Sequence, residues 1–178
     1  MKKLGIYMSF FIFFSCNKET KDLTPNFEAF IYVNWNLREN NSLKFSGSDT
    51  LYLQKRFPEE PVGNYISILN KQDKDSLIKR VNKLNLKKHS PNYIENRDDG
   101  NSQVFIISRN KKPESIYIHG NIGPSEIKDF GNWFEKLESE LKFIKTKDYI
   151  TFWNIENIVP PPPPPPIVKN INLNSNSH

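Results

Sequence analysis

Short segments in which apolar and polar residues alternate limit the fold of this chain more than any other feature of its sequence. Between residues 27 and 35, apolar side chains occupy every second position. A period of two is typical of a β-strand, whose successive side chains face opposite sides of a sheet. Apolar segments of strand length also occur at residues 50–55, 64–69, 102–108, 115–119 and 148–154. These segments predict strands, and the mainly polar residues 36–48 predict a loop.

Two further segments show the one-sided spacing of amphipathic helices. The first has its apolar face at Leu77, Ile78, Val81 and Leu84, and the second has it at Ile127, Phe130, Phe134, Leu137 and Leu141. Asn70 or Asp73 is suited to cap the first helix, because either side chain can accept a hydrogen bond from a backbone N–H of the first turn. Pro124 is suited to the first turn of the second helix, where no N–H partner is needed.

The order strand, strand, helix therefore occurs twice after an initial strand. Short connections favour hairpins, and a helix with one apolar face must bury that face against a neighbour. The predicted fold class is α+β, with an antiparallel sheet of four to six strands and both helices packed on one face. The two ββα units are either two instances of a common arrangement or an internal duplication, and their weak residue identity favours the first interpretation.

The first 20 residues follow a different pattern. Two lysines precede an apolar run at residues 4–14, and the only cysteine of the chain, Cys16, follows Ser15 just after it. The run is too short to span a bilayer, which takes about 20 apolar residues, but it has the length of the apolar part of a secretory signal. The chain becomes abruptly polar at Asn17. Together these features resemble a bacterial lipoprotein signal, although Phe13 and Phe14 depart from the usual residues before the cysteine.

The resemblance implies that the signal is cut before Cys16 and that its thiol is joined to diacylglycerol. Because each buried methylene contributes about 0.8 kcal/mol, several acyl chains on one cysteine form a stable membrane anchor. Asn17, where aspartate would retain many lipoproteins at the inner membrane, favours the outer membrane of the cell envelope. The alternative is an ordinary secretory signal with an incidental cysteine, but only Ser15 matches the small residues that ordinary cleavage prefers.

Seven consecutive prolines occupy residues 160–166. Proline lacks a backbone N–H, so the run predicts a polyproline II rod of roughly 20 Å. It is a spacer, a segment that packs on the protein's own aromatic residues such as Trp153, or a ligand for an aromatic groove of a partner. Its plain Ile and Val flanks favour the first two. The predicted boundaries are a signal peptide at 1–15, a lipidated tether at 16–26, one α+β domain at 27–155, and a polyproline segment with a disordered tail at 156–178.

Charge and cysteine content exclude several classes of function. Residues 1–15 carry two of the 25 basic residues and no acid, so the rest of the chain has 23 basic and 20 acidic residues, a net charge of +3. These charges are interspersed, whereas a nucleic-acid binder shows a basic stripe or patch. Lipidation of Cys16 leaves no thiol for a disulfide or a metal site. We therefore expect a monomer without nucleic acid, metal or cofactor.

The most enzyme-like stretch is IYIHGNIGPSE, in which His119 ends a strand ahead of a helix N-terminus, where anions can bind. The glycines equally suit an ordinary strand-to-helix turn. This second interpretation is favoured, because no acid or nucleophile in the sequence is placed to complete a mechanism. Three pairs of acidic residues could also be considered as catalytic carboxylates: Glu59 with Glu60, Asp73 with Asp75, and Asp98 with Asp99. Such pairs are more typical of turns and helix caps. No catalytic residue is predicted.

Aromatic residues are the remaining candidates. Tyr32, Tyr52 and Tyr117 lie at alternate positions of their predicted strands, as do Phe30 and Tyr65. On an exposed face they would form a strip able to stack on a sugar or contact a protein, and ordinary packing is the favoured alternative. The candidate binding residues are His119, Tyr117, Tyr52 and Tyr32.

The domain itself loosely resembles small envelope lipoprotein domains of Gram-negative bacteria. The features that carry the likeness are residues 50–55, the strand end at 116–120, the pair Gly123–Pro124, and the helix with Trp133–Phe134. The resemblance implies no particular activity. The first hypothesis is a non-catalytic module, anchored by Cys16, that binds a protein or glycan partner in the envelope. The alternatives are an immunity or inhibitor lipoprotein, and an envelope hydrolase that uses His119 with a nearby acid.

Overall fold

The computed structural model describes residues 23–36, 39–58, 63–96 and 100–152. They form eight strands and two α-helices in one α+β arrangement. In chain order these are β1 (Ala29–Trp35), β2 (Glu39–Phe45), β3 (Thr50–Pro58), β4 (Gly63–Ile68), α1 (Lys71–Lys83), β5 (Asn92–Ile94), β6 (Ser102–Arg109), β7 (Lys112–His119), α2 (Ser125–Glu140) and β8 (Ile144–Thr146). A short 3-10 turn at Leu86–Lys88 follows α1. Neither described helix is long and apolar enough to cross a membrane.

All eight strands belong to one sheet, in the order β5-β7-β6-β1-β2-β3-β4-β8. Neighbours are antiparallel except β5 and β7, which are parallel, so the sheet is mixed. The α+β class is confirmed. The predicted number of four to six antiparallel strands is wrong, and so is the simple ββα-ββα order. Four strands precede α1, three separate the helices, and β8 follows α2.

The strand β2 lies within residues 36–48, where a loop was predicted. Its sequence, ENNSLKF, is mostly polar and carries no clear alternation. It forms a strand because β1 and β3 pair with its two edges, and their ladders satisfy its backbone groups. Leu43 and Phe45 are buried on the same face of the sheet. Pairing with the neighbouring strands, rather than the intrinsic β-propensity of the segment, therefore determines the conformation of β2.

The strand predicted at residues 148–154 is also wrong over its described part, since residues 148–152 lie in no strand. Side chains of the sheet hold this segment instead. Asn64 Nδ2 donates to the carbonyl of Asp148 at 3.1 Å, and Lys44 Nζ donates to the carbonyl of Thr151 at 2.8 Å. The last strand occurs earlier, as the three-residue β8 beside β4.

Both helices pack against one face of the sheet, which we call the core face. From α1 the core receives Leu77, Ile78 and Val81, and from α2 it receives Ile127, Phe130, Phe134 and Leu137. They meet sheet residues such as Phe30 and Tyr32 of β1. Asn70 caps α1 as predicted, its side chain accepting from the backbone N–H of Asp73 at 2.9 Å. Pro124 lies one residue before α2 rather than in its first turn.

The opposite side of the sheet, which we call the second face, has its own apolar centre. It consists of Ile31, Val33, Val104, Ile106 and Tyr117, from β1, β6 and β7. Trp35 and Phe152 pack against this centre.

The tether predicted at residues 16–26 is described only from residue 23, and its end contacts the domain. Asn26 N donates to Asn82 Oδ1 at 2.9 Å, and Asn82 Nδ2 donates to the carbonyl of Thr24 at 3.0 Å.

Candidate functional site

The core face of the sheet becomes polar along one transverse row of the strand register. We call Gln103, Asn34, Asn41 and Lys55, on β6, β1, β2 and β3, the polar row. Each lies two positions from a buried apolar or aromatic residue of its own strand, so side-chain alternation directs it to the helix side of the sheet. Polar side chains cost free energy on a buried face unless they find partners.

Together with α2, three residues of the polar row enclose an open cavity of about 470 Å³, which we call the cleft. Its polar lining is Asn34, Asn41, Lys55, Glu135, Glu138 and Ser139, and its apolar lining is Leu53, Tyr65, Leu141 and Phe143. A volume of this size is within the range of small-molecule sites, roughly 300–1,000 Å³. The mixture of apolar walls with a few convergent polar groups is also typical of such sites.

Glu135 is the centre of a hydrogen-bond network beside the cleft. Its Oε1 accepts three hydrogen bonds. Two come from Asn34 Nδ2 and Gln103 Nε2, each at 3.0 Å, and the third comes from the hydroxyl of Tyr32. Gln103 Nε2 lies 2.9 Å from the Tyr32 hydroxyl oxygen as well. Burial, followed by the nearby Glu135 carboxylate, raises the pKa of Tyr32 well above its ordinary value. Tyr32 therefore stays a neutral donor, which holds the carboxylate in place.

Asn34 leaves one atom of this network without a partner. Its Nδ2 donates to Glu135, but in the described residues its Oδ1 is buried and accepts no hydrogen bond. A buried polar atom without a partner costs about 1–3 kcal/mol, so such atoms are rare in native proteins. Asn34 lines the cleft, but its Oδ1 is covered in this conformation. A ligand hydroxyl or N–H can therefore donate to this oxygen only after the side chain has moved.

The electrostatics of the cleft favour some ligands over others. Two carboxylates, Glu135 and Glu138, face one ammonium group, Lys55. Lys55 Nζ lies 5.9 Å from the centre of the Tyr65 ring, within reach of a cation–π attraction. The excess of acceptors over donors favours a ligand rich in hydroxyl or N–H groups and disfavours an anion. Within the described part of the chain, no three His, Cys, Asp or Glu side chains lie where they could hold a metal ion.

Two of the predicted binding residues, His119 and Tyr117, lie close together, but on the second face of the sheet and not in the cleft. His119 and Tyr117 lie on the second face with Ser102, whose Oγ is 2.9 Å from His119 Nδ1 and 3.3 Å from the Tyr117 hydroxyl. Ser102 is only 1% exposed, so a substrate cannot reach its hydroxyl in this conformation. The histidine side chain here ties β7 to β6, and a hydrolytic role for it remains a prediction.

The predicted tyrosines do not form a single strip. Tyr32 is fully buried on the core face, whereas Tyr117 belongs to the second face. Tyr52 alternates with the buried Leu51 and Leu53 and so points to the second face, where it is half-buried. Cys16, Trp153, and the acidic pairs at 59–60 and 98–99 lie outside the described residues. The backbone N–H of Asp73 donates the cap hydrogen bond of α1 to Asn70 Oδ1, and the Asp73 carboxylate accepts from Asn70 Nδ2 at 2.7 Å.

The cleft residues Asn34 and Glu135 were missed by the sequence prediction. For Asn34 a signal existed, because it continues the alternate series Phe30, Tyr32 on β1. A polar residue at a core position is the kind of local inconsistency that marks functional sites. Glu135 gave no such signal, since a glutamate next to the apolar stripe of a helix usually faces solvent.

A second charged cluster ties the 3-10 turn to the start of α2. Glu126 Oε1 lies 2.7 Å from His89 Nε2, and Glu126 Oε2 accepts from Lys88 Nζ at 2.9 Å. These hydrogen bonds, that of His89 first, lower the pKa of Glu126. A lowered pKa means that the cluster stabilises the fold above the unfolded-state pKa of glutamate, about 4.3, and that this contribution is lost as the pH falls through the folded-state value.

We therefore expect Glu126→Gln to flatten the acid side of the stability profile. The variant should melt below the unmodified protein near neutral pH, and the difference should shrink as the pH falls through and below the folded-state pKa of Glu126. Melting followed by circular dichroism across the acid range measures this. A difference between the two proteins that stays constant with pH would contradict the assignment.

Comparison of the chain with family models, curated proteins and solved structures found no significant match.

Proposed function

We propose that this chain is a non-catalytic, lipid-anchored module of the bacterial envelope that binds a neutral, hydroxyl-rich glycan in the cleft. The observation that carries the proposal is that Asn34 lines a cavity of about 470 Å³, while its buried Oδ1 has no partner among the described residues. A buried acceptor is stabilised only when a donor reaches it. Glycan hydroxyl groups supply such donors and bring no charge to be desolvated.

The remaining lining supports the same class of ligand. Glu135 and Glu138 add carboxylate acceptors, which bind hydroxyl groups strongly because one partner is charged. Leu141 and Phe143 add apolar surface against which the C–H face of a sugar ring can pack. An acidic glycan is disfavoured, since it would meet two carboxylates at close range.

The proposed location rests on the resemblance of residues 1–15, followed by Cys16, to a lipoprotein signal. Lipid on Cys16 would hold the module at a membrane surface, with the outer membrane favoured by Asn17, and the cleft would meet glycans of the envelope. Mass spectrometry of the N-terminus of the mature protein tests the anchor. A thioether-linked diacylglycerol on Cys16 is expected, and an unmodified Cys16 or cleavage at another position would contradict it.

Calorimetric titration of the mature protein with the trisaccharide of N-acetylglucosamine tests the binding site. We expect saturable binding that Asn34→Leu weakens by about ten-fold or more, equivalent to about 1.4 kcal/mol, because the substitution removes an unpaired acceptor from a residue of the cleft wall. The matched control is Tyr52→Leu on the second face, which should leave the dissociation constant unchanged. Binding that is equally strong in both variants would place the ligand elsewhere.

A further inference from the structure

Residues 147–152, which we call the crossing segment, run over the second face after β8. They contact β4 first, where Asn64 donates to the Asp148 carbonyl, and then β2, where Lys44 donates to the Thr151 carbonyl. Phe152 next packs on the apolar centre formed by β1, β6 and β7. The contacts therefore progress from β4, the neighbour of the edge strand β8, toward the middle of the sheet. The described chain therefore ends at Phe152, on the β1, β6 and β7 side of the second face.

An aromatic pair lies on that side. The rings of Trp35 and Tyr117 are 5.9 Å apart, tilted by 38°. Trp35 is half-buried, and farther out Ile94 of β5 is 59% exposed and shares the second face with His119, its neighbour in the register. We call Trp35, Tyr117 and Ile94 the aromatic shelf. Its exposed part comes from Trp35 and Ile94, because Tyr117 is only 8% exposed. Ser102 and His119 lie between Trp35 and Ile94 in the register.

Polyproline segments recognise surfaces of this kind. A polyproline II helix is already stiff, so little conformational entropy is lost when it docks, and the flat faces of proline rings pack on aromatic side chains. Such grooves usually belong to another protein. Here the same chain carries both the aromatic shelf and a run of seven prolines at residues 160–166.

The length of the connection allows the two to meet. Residues 153–159 separate Phe152 from the first proline. An extended chain of seven residues reaches roughly 23 Å, whereas two strand spacings, from β1 to β7, span about 10 Å. The proline run itself extends for roughly 20 Å, similar to the length of a six-residue strand. A tether this short also gives the prolines an effective concentration in the millimolar range at the shelf.

We propose that residues 160–166 dock on the aromatic shelf of their own chain, so that the C-terminal segment completes the cover of the second face. In this arrangement the proline run is an intramolecular clamp. It holds the crossing segment against the sheet, and it leaves the cleft on the core face open to ligand. The proposal does not depend on what the cleft binds.

Hydroxyl-radical footprinting of the full mature chain tests the clamp. The comparison protein has residues 160–166 replaced by alternating glycine and serine, which keeps the length but abolishes the polyproline rod. We expect oxidation of Trp35 to rise by roughly two-fold or more in that variant, because an aromatic ring without its cover exposes much of its large surface. Trp133 is the internal control, since it packs on the core face under Arg80, with 4.3 Å from the guanidinium carbon to the ring centre.

A second measurement separates docking from a general loss of stability. Addition of a synthetic peptide of residues 155–168 at millimolar concentration should restore protection of Trp35 in the variant. Equal oxidation of Trp35 in both proteins would overturn the proposal and leave the proline run as a spacer or a ligand for another protein. A parallel rise at Trp133, with no rescue by the peptide, would overturn it as well.

Discussion

Replacement of Phe134 by alanine is expected to lower the free energy of unfolding by about 3–5 kcal/mol, a large part of the stability of a domain of this size. Phe134 is fully buried at the point where α2 meets β1. Its ring lies edge-on to Phe30 and Tyr32, at centroid distances of 5.4 and 5.5 Å, and stacks on Phe130 at 5.9 Å. The truncation would leave a cavity among three rings that cannot all shift to fill it.

Chemical denaturation followed by circular dichroism measures this loss. The control is Tyr149→Ala, which truncates an aromatic residue that is 88% exposed and should change stability by less than about 0.5 kcal/mol. If the two substitutions cost the same, α2 does not pack on the sheet as described. A loss for Phe134→Ala below about 1 kcal/mol would lead to the same conclusion.

The second large effect is expected at Glu135. In Glu135→Leu the donors of Tyr32, Asn34 and Gln103 lose their shared acceptor, and each buried donor left without a partner costs about 1–3 kcal/mol unless it finds a new one. The same substitution removes a carboxylate from the cleft wall. We expect lower stability and a loss of trisaccharide binding of about ten-fold or more, equivalent to about 1.4 kcal/mol.

Two variants make the result at Glu135 interpretable. Glu140→Leu introduces the same change at an exposed position of the same helix and should alter neither property appreciably. Glu135→Gln retains a side-chain oxygen that can accept from Tyr32, so it should recover most of the stability while binding stays weakened. If Glu135→Leu is folded and binds the trisaccharide normally, the cleft is not the glycan site.

The sequence predicted the long apolar strands better than the short or polar ones. Alternating or continuous apolar residues predicted β1, β3, β4, β6 and β7. One-sided spacing of apolar residues predicted both helices. The edge strands β5 and β8 have only three residues each, too few for a period to show. The polar β2 takes its conformation from the strands on either side. Such segments are defined by long-range pairing, which a local pattern does not contain.

The candidate site was less predictable than the fold. Asn34 could have been recognised, because a polar residue follows Phe30 and Tyr32 in the core-facing series of β1. The polar row could not have been recognised from the sequence, because it depends on the strand register. That register aligns Asn34 with Gln103 and Asn41 across three strands. Tyr32 was predicted as a possible binding residue on an exposed face, but the register turns it inward to donate to Glu135.

The central claim is that the cleft beside Glu135 binds a neutral glycan. The most direct measurement is nuclear magnetic resonance of the 15N-labelled mature protein during titration with the trisaccharide of N-acetylglucosamine. We predict that the side-chain amide signals of Asn34 and Asn41 shift in a saturable way, while the backbone signals of Tyr52 and Ile66 on the second face stay unchanged. Shifts confined to the second face, or no shifts at millimolar trisaccharide, would contradict the claim.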